Sequence, residues 1–269
     1  MSESDKVFTG SIAEVYDTHL VPLIFEQYAA DLARRVSAIG PGTALEIAAG
    51  SGVVTRAVAP VLGAGRRYVV TDLNAPMLER AASMQPHAEL IEWKPADALD
   101  LPFDDDSFDL VICQFGVMFF PDRFKAYVEA RRVLRPGGSF IFSMWDELEE
   151  NEFAHAVTQA LEEVFPDDPP AFLPRTPYGH YDTDVFRAEL EAAGFGDVTI
   201  EARDEISAAD GPSSPAIAFC YGTPLRSEIA ERNGPDLENA TEHVTGSIRA
   251  RFGDGAVEGR IRAFIITAR

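Results

Sequence analysis

The feature that most constrains this chain is an alternation of short apolar strands and helical segments between residues 40 and 146. Residues 44–47 are strand-like, and a turn through Ala48, Ala49, Gly50, Ser51 and Gly52 leads into a helical stretch over 53–61. Residues 67–72 give a second strand, and a helix over 76–83 follows with Pro76 at an early position, where its missing N–H costs nothing. Third and fourth strands are expected at 89–93 and 110–115, each apolar and bounded by polar or turn residues. Phe124, Tyr127, Val128 and Leu134 share one side of the next helix, with Pro136-Gly137-Gly138 expected to stop it before a fifth strand at 139–145. Such alternation predicts a doubly wound α/β fold, a mostly parallel sheet with helices on both faces.

The flanks add to this core. Leu20, Leu23, Ile24, Tyr28, Leu32 and Val36 recur at helical spacing within residues 9–39. After Trp145 come a helix near 152–165 and a stretch holding Pro166, Pro169, Pro170, Pro174 and Pro177. A helix over 182–193 ends at Gly194, alternating Val198, Ile200 and Ala202 return to the sheet, a helical segment runs to about 252, and residues 257–268 are strand-like. The expected division is an N-terminal helical segment (1–39), the core (40–146), a lid insertion (147–181), a return to the core (182–206), a second helical insertion (207–253) and a final strand (254–269), all within one domain.

Charge narrows the partners. With 23 Lys and Arg against 44 Asp and Glu, a formal charge of −21, the average surface repels phosphate, which argues against nucleic acid and anionic membrane. No apolar run approaches the ~18 residues of a membrane span. The first six residues lack a basic start and an apolar stretch, so a cytoplasmic protein is expected. Cys113 and Cys220 suit buried thiols, and His19, His87, His155, His180 and His243 show no metal-ligand spacing. Asp104-Asp105-Asp106 is expected to be a solvated turn, with no metal.

Ligands of an open parallel sheet sit beyond the carboxyl ends of its strands, and three acids fall there: Glu46, Asp72 and Asp97. Gly50 and Gly52 supply a tight turn, but Thr55 stands where a dinucleotide fingerprint wants its third glycine. Five segments follow in order: residues 45–52 (LEIAAGSG), 70–78 (VTDLNAPML), 96–103 (ADALDLPF), 107–111 (SFDLV) and 132–138 (RVLRPGG). Together they resemble class I S-adenosylmethionine (SAM)-dependent methyltransferases, within that class the branch of the ubiquinone and menaquinone C-methyltransferases.

The resemblance implies a seven-stranded Rossmann-like sheet with helical lid insertions, SAM as cofactor, and transfer of its methyl group to a small-molecule acceptor. It assigns Glu46, Ala48 and Gly50 to the methionine end, Asp72 with Leu73 to the ribose and adenine edge, and Asp97 with Ala98 to the adenine. Gln114 would line the cofactor and face the acceptor; Met77 either packs on the adenine or fills core. Ala48 departs from the glycine usual in the family and is expected to keep ordinary backbone torsions, because a Cβ is costly at positive φ. Trp145-Asp146 could border the acceptor. A thioether leaves a sulfonium readily, so alignment alone can supply up to roughly 7–11 kcal/mol and no general base is required. Were one used, His155, His180, Tyr16 and Tyr178 lie in the segments expected to cover the site. Two other readings stay open: an NAD-dependent oxidoreductase, since Asp72 follows the glycines at the distance that fold expects, and a SAM-binding regulator without catalysis. No Pro-Pro-Tyr or Pro-Pro-Trp follows the fourth strand, where Gln114-Phe115-Gly116 stands instead, which disfavours amino-directed DNA methylation. The acceptor, the methylated element and the oligomeric state are left open.

Overall fold

The four strands at the centre of the sheet are apolar on both faces, as a sheet covered by helices on either side requires. Ala44 and Leu45, Val69 and Val70, and Leu110, Val111 and Ile112 are all completely buried. The computed structural model describes residues 14–63, 65–86 and 91–269. Its strands are β1 (Thr43–Glu46), β2 (Arg67–Asp72), β3 (Glu92–Pro95), β4 (Phe108–Gln114), β5 (Leu134–Trp145), β6 (Val198–Ala209) and β7 (Val257–Ala268). They form one seven-stranded sheet in the order β3-β2-β1-β4-β5-β7-β6, and the pairings β1–β2, β1–β4, β2–β3 and β4–β5 are parallel. The order reverses between β1 and β4, the switch point at which such sheets hold ligands.

The principal helices are α1 (Glu26–Ile39), α2 (Val53–Leu62), α3 (Ala75–Met84), α4 (Arg123–Val133), α5 (Glu152–Val164), α6 (Thr183–Ala192), α7 (Ser213–Gly222) and α8 (Leu237–Phe252). A wider-spaced helical segment, Tyr16–Phe25, precedes α1. Three helices start on an aspartate whose carboxylate accepts backbone N–H groups that the helix leaves unpaired: Asp122 from Lys125, Asp182 from Asp184 and Val185, and Asp236 from Asn239.

The chain divides into two compact units where the sequence reading has one domain with insertions. A sheet unit comprises Glu26–Met144, Asp182–Ala202 and Phe264–Arg269, and a helical unit takes the described residues up to Phe25 with Trp145–Tyr181 and Arg203–Ala263. Strands β6 and β7 pass from one to the other. Within the helical unit, Asn151 is completely buried. Its Nδ2 donates to the Glu147 and Arg262 carbonyls at 3.0 and 3.3 Å, and its Oδ1 accepts from the Arg262 amide at 3.1 Å.

Several boundaries differ from the sequence reading. The third strand is shifted to Glu92–Pro95, and residues 9–13 of the first expected helix and 87–90 before the third strand, His87 among them, lie outside the described residues. The fourth helix ends at Val133, before Pro136-Gly137-Gly138. Strand β5 already pairs at Leu134 with Phe108, and its register then jumps, so that Leu110 faces Ser139. The Pro-Gly-Gly run is thus a bulge that takes up extra residues in β5, with Gly137 at φ 80, rather than a helix stop.

Candidate functional site

The turn after β1 is held from both neighbouring strands. Ile47 N donates to the Ile112 carbonyl at 2.9 Å, Ala49 N to the Thr71 carbonyl at 3.0 Å, and Gly50 N to Asp72 Oδ2 at 2.8 Å. The other oxygen of Asp72 accepts from Asn74 N at 2.7 Å, so one carboxylate at the tip of β2 fixes the turn after β1 and the start of α3. Burial raises the Asp72 carboxyl above its usual range, outweighing those two donors.

Three residues of this turn are left-handed, Ala48 at φ 53, Gly50 at φ 56 and Gly52 at φ 81. The expectation that Ala48 keeps ordinary torsions is therefore corrected: the turn needs a left-handed residue there, and an L side chain in that region costs roughly 1–2 kcal/mol. Its methyl group has room because position 116 is glycine. A Cβ on Gly116 would lie 2.6 Å from the Ala48 Cβ and 2.8 Å from Cys113 Sγ. Gly52 is needed for a second reason, since a Cβ there would stand 2.8 Å from the Cβ of Ala81 on α3.

Glu46, at the tip of β1, is 1% exposed. Thr55 Oγ1 donates to its Oε2 at 2.8 Å, and the Tyr68 hydroxyl donates to the same oxygen. Its Oε1 is buried with no hydrogen-bond partner among the described residues. Burial pushes this carboxyl up to about 7, against the pull of the Tyr68 and Thr55 donors. Thr55, the residue that spoils the dinucleotide fingerprint, is thus spent on Glu46. The sequence reading missed Tyr68, whose signal was a lone phenol next to Val69 and Val70 in β2. It pairs with Ala44, two residues before Glu46, which lets its hydroxyl reach along the strand.

The remaining sequence-derived residues gather at the same edge. Leu73 is 65% exposed just past Asp72, and the Met77 methyl lies 3.9 Å from where a Cβ on Gly50 would be, so it faces the turn although the residue is buried. Ala96 N donates to the Asp72 carbonyl at 3.1 Å, which sets the following loop beside β2. In that loop Asp97 is exposed, its Oδ1 accepting from Leu99 N at 2.9 Å, and Ala98 is buried. Gln114 ends β4 half-buried, opposite Ser143.

Sequence reasoning also missed what holds the 97–106 loop. Glu129 Oε2 accepts from Leu101 N at 2.8 Å. Arg132 donates to the Leu101 and Phe103 carbonyls at 2.9 and 2.7 Å and pairs with Asp105 at 2.9 Å and Glu129 at 2.8 Å. The Arg132 guanidinium in turn holds the Glu129 carboxyl below its ordinary range. Asp109 of the fourth motif stands away from these tips. It accepts from Thr43 N at 2.8 Å and from Arg135 Nη1 at 2.8 Å, latching the start of β1 instead.

In the helical unit, Tyr16, Phe25, Trp145 and Tyr178 form a row of rings with successive centroids 5.4, 6.0 and 5.7 Å apart. Burial alone pushes the Tyr178 phenol far above its ordinary value. His155 lies on α5, and His243 pairs with Glu163 at 2.9 Å. A cavity of about 750 Å³, bordered by Tyr221 of α7 and by Thr241 and Arg249 of α8, shares no residue with the cluster at the strand tips. Both thiols are buried and raised by that burial to about 12. Among the described residues there is no group of His, Cys, Asp and Glu arranged to hold a metal, and no helix long and apolar enough to cross a membrane.

Residues 45–142 match the family model described as a methyltransferase domain. Over 109 residues the chain is 40% identical to an uncharacterized protein of Mycobacterium tuberculosis, covering 40% of this chain and 39% of that one. A demethylmenaquinone methyltransferase of Clavibacter sepedonicus is 37% identical over 108 residues, 40% of this chain and 43% of that one. The chain thus spans about two fifths of the curated relatives it matches. The fold extends further than the sequence similarity. The YcgJ protein of Bacillus subtilis covers 90% of this chain and 97% of its own, with a TM-score of 0.57 at 20% identity. A phosphoethanolamine N-methyltransferase of Haemonchus contortus, solved with S-adenosyl-L-methionine, covers 98% of this chain and 58% of its own, with a TM-score of 0.60 at 18% identity. The seven-stranded sheet is the Rossmann-like methyltransferase fold.

Proposed function

We propose, on the premise that residues 45–142 form a methyltransferase domain, that this chain binds SAM at the tips of β1 to β4 and transfers its methyl group to a small-molecule acceptor. The observation that carries the reading is the carboxylate pair around the β1 turn. Asp72 accepts one backbone donor on each oxygen and keeps lone pairs for two ribose hydroxyls, and Glu46 holds a buried oxygen with no partner among the described residues. A cationic ligand suits two carboxylates at one turn. Leu73, exposed beside Asp72, offers an apolar face to a purine, and Asp97 at the start of the next loop can accept from its amino group.

When bound, the cofactor supplies a methyl group on a sulfonium that departs as a neutral thioether. The work left to the protein is binding and alignment. The left-handed turn fixes Gly50 against Asp72, Met77 closes on that turn, and Gln114 borders the ligand at the tip of β4. No residue here is assigned as a general base.

The acceptor is a small organic molecule. The demethylmenaquinone enzyme of Clavibacter sepedonicus and the ubiquinone/menaquinone C-methyltransferase of Brucella canis, 37% identical over 114 residues, make a quinol-type ring the first acceptor to try. Calorimetric titration with SAM tests the site: the wild type binds and Asp72→Ala binds at least tenfold more weakly. Equal affinity in both refutes the assignment. Incubation with methyl-labelled SAM and a set of quinols then tests the transfer, and label recovered in a small product supports it.

A further inference from the structure

Glu46 is bound asymmetrically. Two hydroxyls, from Thr55 on α2 and Tyr68 on β2, converge on Oε2, while Oε1 is equally buried and has no hydrogen-bond partner among the described residues. An acceptor left unpaired in a buried site is costly, and a carboxylate more so than a carboxylic acid. The charged groups that act on Glu46 are Asp72, which opposes its ionisation, and Arg56, which favours it. Buried Cys113 of β4 carries no charge near neutrality.

Resting on the SAM reading above, we propose that Tyr68 and Thr55 are positioning residues that hold Glu46 by one oxygen so that the other meets the cationic methionine end of the cofactor, and that Glu46 gives up a proton as the cofactor binds. The proton leaves the carboxyl for solvent, and the ligand's positive charge takes its place at Oε1. No bond other than that O–H is broken. Without ligand the neutral form predominates only below about pH 7; the cation converts a penalty into an ion pair screened from water.

With the free carboxyl at about 7, ligand meets an ionised Glu46 in roughly a tenth of molecules at pH 6 and half at pH 7, so apparent affinity rises about fivefold between them. The deciding experiment is titration of the full chain with SAM at pH 6 and 7 in buffers of different ionisation enthalpy, which counts protons released per ligand bound. Release approaching one proton at pH 6 and about half a proton at pH 7 is expected. Glu46→Gln should abolish that release, whereas Asp72→Asn should retain it, shifted to lower pH because a charge that opposes Glu46 ionisation is gone. Tyr68→Phe removes a donor that favours the carboxylate, so it should move the release to higher pH and weaken binding more at pH 7 than at pH 8.5. A structural role for Tyr68 would weaken binding equally at both pH values. Binding of SAM by the wild type with no proton exchange at either pH overturns the proposal and leaves the cofactor assignment standing. Failure of the wild type to bind SAM overturns both. The wild-type count requires no variant to fold.

Discussion

Gly116→Ala probes the link between the unusual alanine of the β1 turn and the tip of β4. Gly116 has φ −98 and ψ −34, torsions any residue accepts, so the substitution carries no backbone penalty. Constraining the unfolded chain would by itself add about 0.4–1 kcal/mol of stability. The new methyl, however, would lie 2.6 Å from the Ala48 Cβ and 2.8 Å from Cys113 Sγ. Neither neighbour is the far end of a flexible chain, and overpacking of this kind costs about 1–3 kcal/mol, leaving a net loss of roughly 1–2 kcal/mol. Ala48→Gly alone relieves roughly 1–2 kcal/mol of left-handed strain and forfeits a similar amount in unfolded-chain entropy and methyl contacts, for a net change near zero. Combined, the two substitutions remove one of the two clashes, so the loss should shrink by about 1 kcal/mol relative to the sum of the singles. Urea unfolding of the four proteins, analysed as a double-mutant cycle, reads this coupling. Losses that add to within about 0.3 kcal/mol would show that the Ala48 methyl does not dictate glycine at position 116, and the steric account would fail.

Other outcomes follow from the same structure. Arg132→Met should loosen the 97–106 loop, lowering stability by roughly 1–3 kcal/mol through lost charge-assisted bonds and weakening SAM binding, as unfolding and calorimetry would reveal together. Because Glu46 holds its proton to about 7 when folded against an ordinary 4.5, the native state binds a proton that the unfolded chain has lost between those values. Stability should therefore fall as pH rises through that window, and urea midpoints of Glu46→Gln should fall less steeply. Asp109 and Glu129 behave oppositely, since their carboxyls lie below the ordinary range; the stability they contribute is present at neutral pH and disappears only in acid below the usual carboxylate values. In the helical unit, Asn151→Ala strands the Arg262 amide and takes one of two donors from each of the Glu147 and Arg262 carbonyls, and thermal unfolding should report a loss of roughly 1–2 kcal/mol.

Much of the sheet was legible because its signals are local. The final strand falls at 257–268 as read, and Asp182 caps the helix that the periodicity places after it. The acids at the strand tips were legible as a set, since Glu46 and Asp72 end β1 and β2. What escaped were facts set by neighbours far off in sequence. Thr55 looked like a missing glycine and proves to be a donor to Glu46, a role that needs the α2 helix folded against β1. Ala48 looked compatible with ordinary torsions, and only the space beside Gly116 shows how a left-handed alanine is tolerated. Pro136-Gly137-Gly138 carries a strong stop signal, yet a bulge in β5 uses the same residues because β4 offers Phe108 as a partner to Leu134.

The discontinuity of the sheet unit decides how this protein can be dissected. The stretch that matches the family model ends at residue 142, but the unit to which it belongs draws on Asp182–Ala202 and Phe264–Arg269 as well. Excising the aligned segment would strip β5 of its β7 neighbour and leave a raw strand edge, an invitation to aggregate. Exchanging the inserted segments on this scaffold is accordingly a matter of replacing them between fixed seams, with the last six residues kept in place.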